Sequence, residues 1–244
     1  METLTVISLD QEGRGVARRD GKAIFIEGAL PGETVTYSPY RKKAAYEVAT
    51  LGAVLKPGNQ RVEPRCRYFG TCGGCSLQHL DPRAQVAVKQ RVLEDALWHI
   101  GRVRPEQILP AIHGPAWGYR HRARLAVRHV PKKGGALVGF HEKRSSYVAD
   151  MASCEVLPER MSRVIRPLRD LVNALSIRSR LPQIEIAVGE EADVLVLRVL
   201  EPLLSPDVEL LRRFAREHGV RLYLQPGGPE TAQSMSPADE ADLY

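Results

Sequence analysis

The sequence predicts a multidomain protein in which a small all-β barrel at the N-terminus precedes an α/β domain. Short strands punctuated by glycines fill the first 57 residues, whereas helices and strands alternate after residue 102. Three of the four cysteines lie between these regions. We therefore expect a barrel over residues 1–57, a four-cysteine cluster loop with a helix over 58–101, and an α/β central domain over 102–244.

Composition and charge indicate a globular protein with one basic region. Hydrophobic residues make up 43% and charged residues 26% of the 244 residues, so the chain can bury a core. Residues 58–150 hold 16 Lys and Arg against 7 Asp and Glu, whereas the segments before and after carry net charges of +1 and −4. A basic middle indicates a surface for a polyanion, although a solvated basic surface without a partner explains the same count.

The sequence also indicates where the protein works. No apolar run approaches the ~20 residues that span a bilayer, and the start METLTVISLDQEG is not a secretory signal. We therefore expect no membrane association and a cytoplasmic location, where cysteines are more often metal ligands or catalysts than disulfides. Nothing in the sequence sets an oligomeric state, and a monomer is the default expectation.

The barrel is predicted from about five short strands that could close on themselves and so protect their edges. The clearest are Thr3–Leu9, Lys22–Glu27, Glu33–Tyr37 and Ala45–Leu51. Arg41, Lys42 and Lys43 fall in a turn near two tyrosines. Basic residues beside aromatic rings suit single-stranded nucleic acid, whereas the simpler interpretation is a solvated hairpin tip.

A helix is predicted after the cysteine loop. Asp81 can cap its start, Pro82 suits its first turn, and Gly101 can end it. Its apolar residues share one face, so we expect the helix to pack on a core. They are Val86, Val92, Leu93, Ala96, Leu97 and Ile100.

A half-buried strand with arginines on one side is predicted over Tyr119–Val130. Its apolar positions are Ala123, Leu125 and Val127, and its arginines are Arg120, Arg122, Arg124 and Arg128. Like charges this close repel unless an anion lies across them, so we predict that these arginines contact RNA phosphates. Pro131–Gly135 is expected to turn the chain into a second strand, Ala136–His141.

The rest of the chain is predicted to alternate helices and strands, which favours an α/β unit. The helices are Pro158–Leu175 and Pro206–His218, and the strands are Gln183–Val188, Asp193–Leu200 and Val220–Leu224. The first two of these strands should pair across a turn at Gly189–Ala192. Gly219 should end the second helix.

The four cysteines form one spacing, Cys66-x5-Cys72-x2-Cys75 with Cys154 far along the chain. The glycine pair between Cys72 and Cys75 lets the backbone fold tightly, so that sulfurs can converge on one centre. Structural zinc usually takes two paired knuckles, whereas three close ligands and a remote fourth resemble ferredoxin-like ligation. We predict an iron–sulfur cluster, with structural zinc and uncommitted thiols as alternatives. The seven histidines show no ligand spacing, although His79 falls near the cysteines.

Several segments resemble the bacterial 23S ribosomal RNA uracil-5-methyltransferases. DQEGRGVARRDGKAIFIEGALPGE is similar to the family's TRAM domain, an RNA-binding barrel of the oligonucleotide-binding type, and EPRCRYFGTCGGCSLQHL is similar to its cluster loop. WGYRHRARLAVR, VGFHEKRSSYVADMASC and LYLQPGG are similar to its central domain. The resemblance implies that Cys66, Cys72, Cys75 and Cys154 hold a [4Fe–4S] cluster. It also implies ribosomal RNA as the partner and S-adenosylmethionine as the methyl donor.

The resemblance further implies a catalytic half in which a cysteine attacks uracil C6 and so makes C5 nucleophilic enough to take the methyl group. All four cysteines here are already committed to the cluster. Neither Gly13-Arg14-Gly15 nor Gly227-Gly228 is a G-x-G-x-x-G turn opening a helix. We therefore expect no catalytic or cofactor-binding residue in this chain, S-adenosylmethionine to be bound by a domain after residue 244, and the chain alone to be inactive.

Two other functions remain open. One is a stand-alone RNA-binding iron–sulfur protein without catalysis. The other is a radical enzyme of the methylthiolation type, which can also carry a TRAM barrel. That class needs Cys-x3-Cys-x2-Cys with one iron left open for S-adenosylmethionine, so the x5 gap and the fourth cysteine argue against it.

Overall fold

The computed structural model describes residues 2–236 and divides the chain into two compact units. The first comprises Met1–Gly70 and Cys75–Gly114, and the second comprises Thr71–Gly74 and Pro115–Tyr244. Compact units and domains are different divisions of a chain, so the domain boundaries proposed after residues 57 and 101 stay predictions. Most of the tail TAQSMSPADEADLY, from residue 237 onward, lies outside the described residues.

Six strands of the first unit form one sheet. They are β1 (Thr3–Thr5), β2 (Ser8–Leu9), β3 (Gly15–Arg19), β4 (Lys22–Glu27), β5 (Thr34–Lys42) and β6 (Tyr46–Lys56). Their spatial order is β1-β5-β6-β4-β3-β2, in which only β4 and β6 run parallel. The core beneath them is small and aliphatic, with Ile24, Ile26 and Val35 almost fully buried.

The predicted closed barrel is wrong, because strand pairing leaves this sheet open with β1 and β2 at its edges. The segment predicted as one strand, Thr3–Leu9, bends in its middle. Val6 N–H donates to the Glu33 carbonyl (2.9 Å), whereas Ile7 N–H donates to the Val16 carbonyl (2.7 Å). The two short strands therefore pair with opposite ends of the sheet and not with each other.

A buried ion pair anchors the chain that follows this sheet. Glu33 is fully buried, and the Arg61 guanidinium donates to its two carboxylate oxygens from Nε and Nη2 (2.5 and 2.8 Å). Burial raises the pKa of Glu33. Hydrogen bonds from Arg61 and from the Leu30 and Gly58 amides, together with the Arg61 charge, outweigh that effect and leave the pKa below its ordinary value. The residues after β6 are thereby fixed to the start of β5.

Helix α1 (Pro82–Asp95) begins and ends as predicted but packs differently. The Asp81 carboxylate accepts the Arg83 N–H at 2.9 Å, and a π-helical turn over Ala96–Ile100 carries the chain to Gly101. The predicted packing on a core is wrong, because no residue of the helix or its π turn is buried. Leu93 is 56% exposed and Ile100 is 83% exposed.

The second unit is built on another six-stranded sheet, flanked by three helices. Its strands are β7 (Arg122–Val130), β8 (Gly135–Gly139), β9 (Gln183–Val188), β10 (Asp193–Arg198), β11 (Val220–Gln225) and β12 (Gln233–Ser234), and its helices are α2 (Glu159–Ser162), α3 (Ile165–Ala174) and α4 (Ser205–His218). The order is β12-β11-β10-β9-β7-β8, with β10 and β11 parallel. Helix α3 packs on β8 and α4 on β11.

Most predicted elements of this unit are confirmed. Strands β9 and β10 pair antiparallel across the predicted turn, and Gly219 ends α4 in the left-handed conformation at φ 61°. The single helix predicted over Pro158–Leu175 is instead two helices, α2 and α3, separated at Arg163 and Val164. In the described part of the chain, no helix has the length and apolar character needed to cross a membrane.

Candidate metal centre and nucleic-acid interface

Cys66 lies in a loop of the first unit whose two ends are hydrogen-bonded to each other. The Val62 N–H donates to the His79 carbonyl at 3.0 Å. Within the loop, the Cys66 N–H donates to Oε1 of the buried Gln78 at 3.1 Å. His79 is itself buried, and its ring stacks on Phe69 with centroids 5.2 Å apart. A side-chain amide and an aromatic pair therefore fix the backbone around Cys66.

Cys72 lies in the second unit, in a segment that pairs with the chain after β8. The Gly73 N–H donates to the His141 carbonyl and the Lys143 N–H donates to the Thr71 carbonyl, both at 2.8 Å. Cys72 is buried, and its Sγ lies 3.4 Å from the N–H of Gly74. N–H···S contacts of this kind stabilise the negative charge of a thiolate ligand.

The glycine pair beside Cys72 is required by close packing rather than by backbone torsion. Neither Gly73 nor Gly74 has a positive φ. A Cβ on Gly73 would lie 2.9 Å from the His141 carbonyl oxygen, and a Cβ on Gly74 would lie 3.2 Å from the Phe140 ring. The tight fold predicted from these glycines therefore depends on the absence of side chains and not on left-handed conformations.

Arg120 supports this same segment. Its Nη2 donates to the Gly74 carbonyl at 3.2 Å, and its guanidinium lies 5.4 Å from the centroid of the Phe140 ring. The residue is half-buried and precedes β7, so it does not stand in the strand's exposed arginine row. The structure gives Arg120 a positioning contact, and its phosphate contact stays a prediction.

Cys154 is buried in the second unit, in the connection between β8 and α2. Its N–H donates to Ser162 Oγ at 2.9 Å. Two residues further on, the Val156 carbonyl accepts the Arg120 N–H at 2.8 Å. The chain around Cys154 is thus hydrogen-bonded to α2 and to the segment that leads into β7.

The four cysteines carry thiols rather than disulfides, with Cys66 and Cys75 partly exposed in the first unit and Cys72 and Cys154 buried in the second. Among residues 2–236, no three Cys, His, Asp or Glu side chains form a ready metal site. The donor set nevertheless fits an iron–sulfur cluster, because four thiolates can ligate all four irons of a cubane. Convergence of the four sulfurs on one centre stays a prediction.

The basic tip of the first unit is Arg41, Lys42 and Lys43. The first two end β5 and the third begins the turn to β6, and all three are exposed. Lys42 lies opposite Glu47 in the β5–β6 register, which offsets part of the charge. Tyr46 is edge-on to Phe25 with centroids 5.9 Å apart. The tip is therefore open to solvent, but the ring of Tyr46 beside it is partly engaged.

The arginine row of β7 is Arg122, Arg124 and Arg128. The predicted alternation is confirmed, because all three are exposed while Leu125 and Val127 are buried. The sequence does not predict a partner for Arg124 within the protein. Its Nε donates to Oε1 of Glu185, on the neighbouring strand β9, at 3.0 Å. The protein itself thus supplies an anion across the middle of the row.

The structure also contains a groove beside this strand, which the sequence does not predict. It is lined by Arg124 and Arg128 of β7 and by Arg178 from the connection between α3 and β9. The volume of the groove is about 540 Å³. The sequence signal for Arg178 is a short basic stretch, Arg178-Ser179-Arg180, but periodicity does not say which strand a connecting loop will face.

Part of the first sheet matches a known domain, because residues 2–36 match the TRAM domain. This match spans β1 to the start of β5. The chain therefore carries a TRAM domain at its N-terminus, and its second unit is an α/β fold on a mixed sheet.

Particular relatives are similar along nearly the whole chain. The chain is 63% identical over 236 residues to the 23S rRNA (uracil(1939)-C(5))-methyltransferase RlmD of Nitrosospira multiformis, covering 97% of this chain and 54% of that protein. Proteins of the same name from Burkholderia ambifaria and Bordetella avium are 61% and 57% identical over 242 and 237 residues, with 97% of this chain covered in each case and 52% and 50% of the relative. This identity establishes strong homology, and the chain spans about half the length of the curated relatives it matches.

The fold is also found in a solved structure of a related kind of enzyme. The crystal structure of Pyrococcus abyssi tRNA (uracil-54, C5)-methyltransferase in complex with S-adenosyl-L-homocysteine superposes with a TM-score of 0.66. The match covers 95% of this chain and 53% of that chain at 20% sequence identity. At this identity the likeness shows the fold alone.

Proposed function

We propose that this chain recognises RNA and carries a [4Fe–4S] cluster as part of an S-adenosylmethionine-dependent 23S rRNA (uracil-C5)-methyltransferase. The observation that carries the proposal is the 63% identity along 97% of the chain to a protein of that name. The TRAM domain and the exposed basic residues of both sheets support RNA as the partner. A cytoplasmic location follows from the need of thiolate ligands for a reducing compartment.

The cluster would be held by Cys66, Cys72, Cys75 and Cys154. A bound [4Fe–4S] cluster supplies a rigid inorganic cross-link that is able to accept an electron, and four protein ligands leave no iron open to substrate. The protein's own contribution is to position the sulfurs. The N–H of Gly74 lies at Cys72 Sγ, and Arg120 fixes the carbonyl of Gly74.

Metal and sulfide analysis of anaerobically purified chain tests this proposal. We expect brown protein with about four irons and four sulfides per chain. Cys154→Ser should lose the iron, whereas the neighbouring control Ser153→Ala should keep it. Colourless wild-type protein with one zinc and no sulfide would contradict the cluster.

RNA recognition is assigned to the basic tip on the first sheet and to the arginine row of β7. Titration of the chain with a single-stranded ribosomal RNA fragment at several salt concentrations tests this assignment. Replacing the tip by Arg41→Gln, Lys42→Gln and Lys43→Gln should weaken binding and lower the salt slope by about 0.7 for each lost phosphate contact. Arg83→Gln with Lys89→Gln on α1 is the control. If the wild-type chain binds no RNA, this part of the proposal is wrong.

We further propose that the S-adenosylmethionine site and the nucleophile of the methyl transfer lie outside residues 1–244. If all four cysteines ligate the cluster, none is left to act as the nucleophile. The sequence also has no G-x-G-x-x-G turn opening a helix, which is a common cofactor-binding turn. Incubation of the chain with ribosomal RNA and isotopically labelled S-adenosylmethionine should give no labelled RNA. Labelled uracil would contradict this assignment and leave the RNA-binding proposal intact.

A further inference from the structure

The groove beside β7 lies between a strand and a loop that are fixed to each other. The Val127 N–H donates to the Pro182 carbonyl at 2.8 Å, and His129 Nδ1 lies 3.4 Å from Ser179 Oγ. Its volume of about 540 Å³ falls within the range of pockets that hold small organic ligands. These contacts join the two walls of the groove.

The rim of the groove is positively charged and only partly neutralised. Arg124 is paired with Glu185, but Arg128 has no ion pair among the described residues. Arg178 is exposed, and its Nη1 donates to the Leu175 carbonyl at 3.4 Å, which leaves its other donors for a ligand. Along residues 2–236, no Asp or Glu side chain lines the groove. The rim therefore selects an anion.

Two accessible rings also line the groove. His141 and Pro182 are both exposed, whereas the lining residues Val127, Val148 and Leu181 are almost fully buried, with 6%, 3% and 1% of their surfaces exposed. The rings of His141 and Pro182 suit the flat face of an unstacked base. Inorganic phosphate alone would use the arginines and leave these two rings without a ligand.

We propose that this groove holds one unstacked nucleotide of a single-stranded RNA segment, with its phosphate on Arg128 and Arg178 and its base against the rings of His141 and Pro182. The inference rests on the proposed RNA-binding function and adds where one nucleotide lies and which atoms hold it. Each arginine of such a pair can donate two hydrogen bonds to phosphate oxygens. Base stacking adds affinity without sequence preference.

The phosphate contact is tested by fluorescence anisotropy with a labelled single-stranded RNA of about ten nucleotides. The variant Arg128→Gln/Arg178→Gln should bind at least about fivefold more weakly at ~0.1 M salt, with a salt slope smaller by about 0.7. The matched control is Arg213→Gln/Arg216→Gln, which removes two exposed arginines of α4 in the same unit, outside both the groove and the arginine row. The control should change affinity by less than about twofold.

The base contact is tested with a second oligonucleotide of the same length that carries ribose phosphates without bases. Wild-type protein should prefer the base-bearing RNA by about fivefold or more, since stacking of a base on an aromatic ring adds affinity that ribose phosphate alone does not have. His141→Ala should reduce this preference, whereas His121→Ala, an exposed histidine outside the groove, should preserve it. Equal affinity of wild-type protein for both oligonucleotides would overturn the base contact.

The same measurements separate this inference from the proposed function. If the groove variant binds RNA as the wild type does while the basic-tip variant loses affinity, the groove assignment fails and RNA binding stands. If the wild-type chain binds no RNA, the proposed function fails. If millimolar inorganic phosphate displaces RNA from the wild type but not from the groove variant, and base-free RNA binds equally well, the groove is an anion site only and the nucleotide proposal is overturned.

Discussion

Helices α1 and α3 both carry apolar residues at helical spacing, but these gather on one face more weakly in α1 than in α3, and the two helices have opposite surroundings. Helix α3 buries Ile165, Leu168, Leu171 and Val172 against the second sheet, whereas α1 and its π turn bury no residue. A period near 3.6 decides which side chains share a face of a helix. Whether another surface covers that face is a property of the rest of the fold. The prediction of a packed α1 was wrong for this reason.

Exposed apolar surface is concentrated beside α1. Six of the thirteen large exposed hydrophobic side chains in the described part of the chain lie between residues 93 and 112. They are Leu93, Ile100, Val103, Ile108, Leu109 and Ile112. Substitutions there should therefore behave differently from substitutions in α3.

The carboxylates near the starts of α1 and α4 also differ in burial. Asp81 caps α1 from a partly exposed position, through two backbone N–H groups. Asp207 in the first turn of α4 is buried and accepts from the Ser176 N–H (2.8 Å), from the Ser176 hydroxyl and from the Leu204 N–H (3.2 Å). Asp207 thus joins the end of α3 to the start of α4, whereas Asp81 serves its own helix.

The largest effect is expected in α3. Leu168→Ala removes a fully buried side chain and should lower the free energy of unfolding of the second unit by about 3 kcal/mol, from lost burial and from the cavity left behind. Urea unfolding followed by far-ultraviolet circular dichroism measures the change. A loss below about 1 kcal/mol would mean that α3 repacks and would weaken the contrast with α1.

Asp207→Asn should cost about 2 kcal/mol at neutral pH, because hydrogen bonds to a charged acceptor are replaced by weaker ones. Burial raises the pKa of Asp207, but hydrogen bonds from the Ser176 side chain and from the Ser176 and Leu204 amides outweigh it and lower the pKa below 3.8. This stabilisation is present above pH 3.8 and is lost as the pH falls through the lower, folded-state pKa. The stability gap between wild type and variant should therefore be constant from pH 7 to 5 and close in stronger acid. A gap independent of pH would contradict the carboxylate's role.

A smaller, local effect is expected from Asp81→Ala. Loss of the cap leaves the Arg83 and Ala84 N–H groups without their acceptor and should destabilise α1 by about 1 kcal/mol. Hydrogen exchange of the first turn of α1 should accelerate about fivefold, while exchange in α3 and α4 stays unchanged. Ala87→Ser, an exposed change in the middle of the same helix, serves as the control. Faster exchange in both units would show that α1 is coupled to the rest of the fold.

The smallest effect is expected from Leu93→Ala, the same substitution as in α3 at an exposed position. It should change the free energy of unfolding by less than about 0.5 kcal/mol, because little buried surface is lost and alanine favours the helix. The urea experiment used for Leu168→Ala measures it. A loss comparable to that of Leu168→Ala would break the comparison by showing that α1 is covered in solution.

Much of the fold was predictable because its signals are local. Three predictions depend only on residues close together in the sequence, and the structure confirms all three. They are the alternation in Arg122–Val130, the helix cap at Asp81 and the helix end at Gly219. The open sheet was not predictable. The bend after Val6 arises because the two halves of one segment meet different strands.

By itself, the sequence determined most of the strand and helix segments, the position of the cysteine loop and the exposed arginine row, since these follow from side-chain periodicity and from glycine and proline at chain reversals. The tertiary structure alone decided that Glu185 neutralises Arg124, that Arg178 lines the same groove as Arg128, and that α1 is left uncovered. The physical reason is that periodicity acts over a few residues, whereas these three outcomes depend on which distant segments meet.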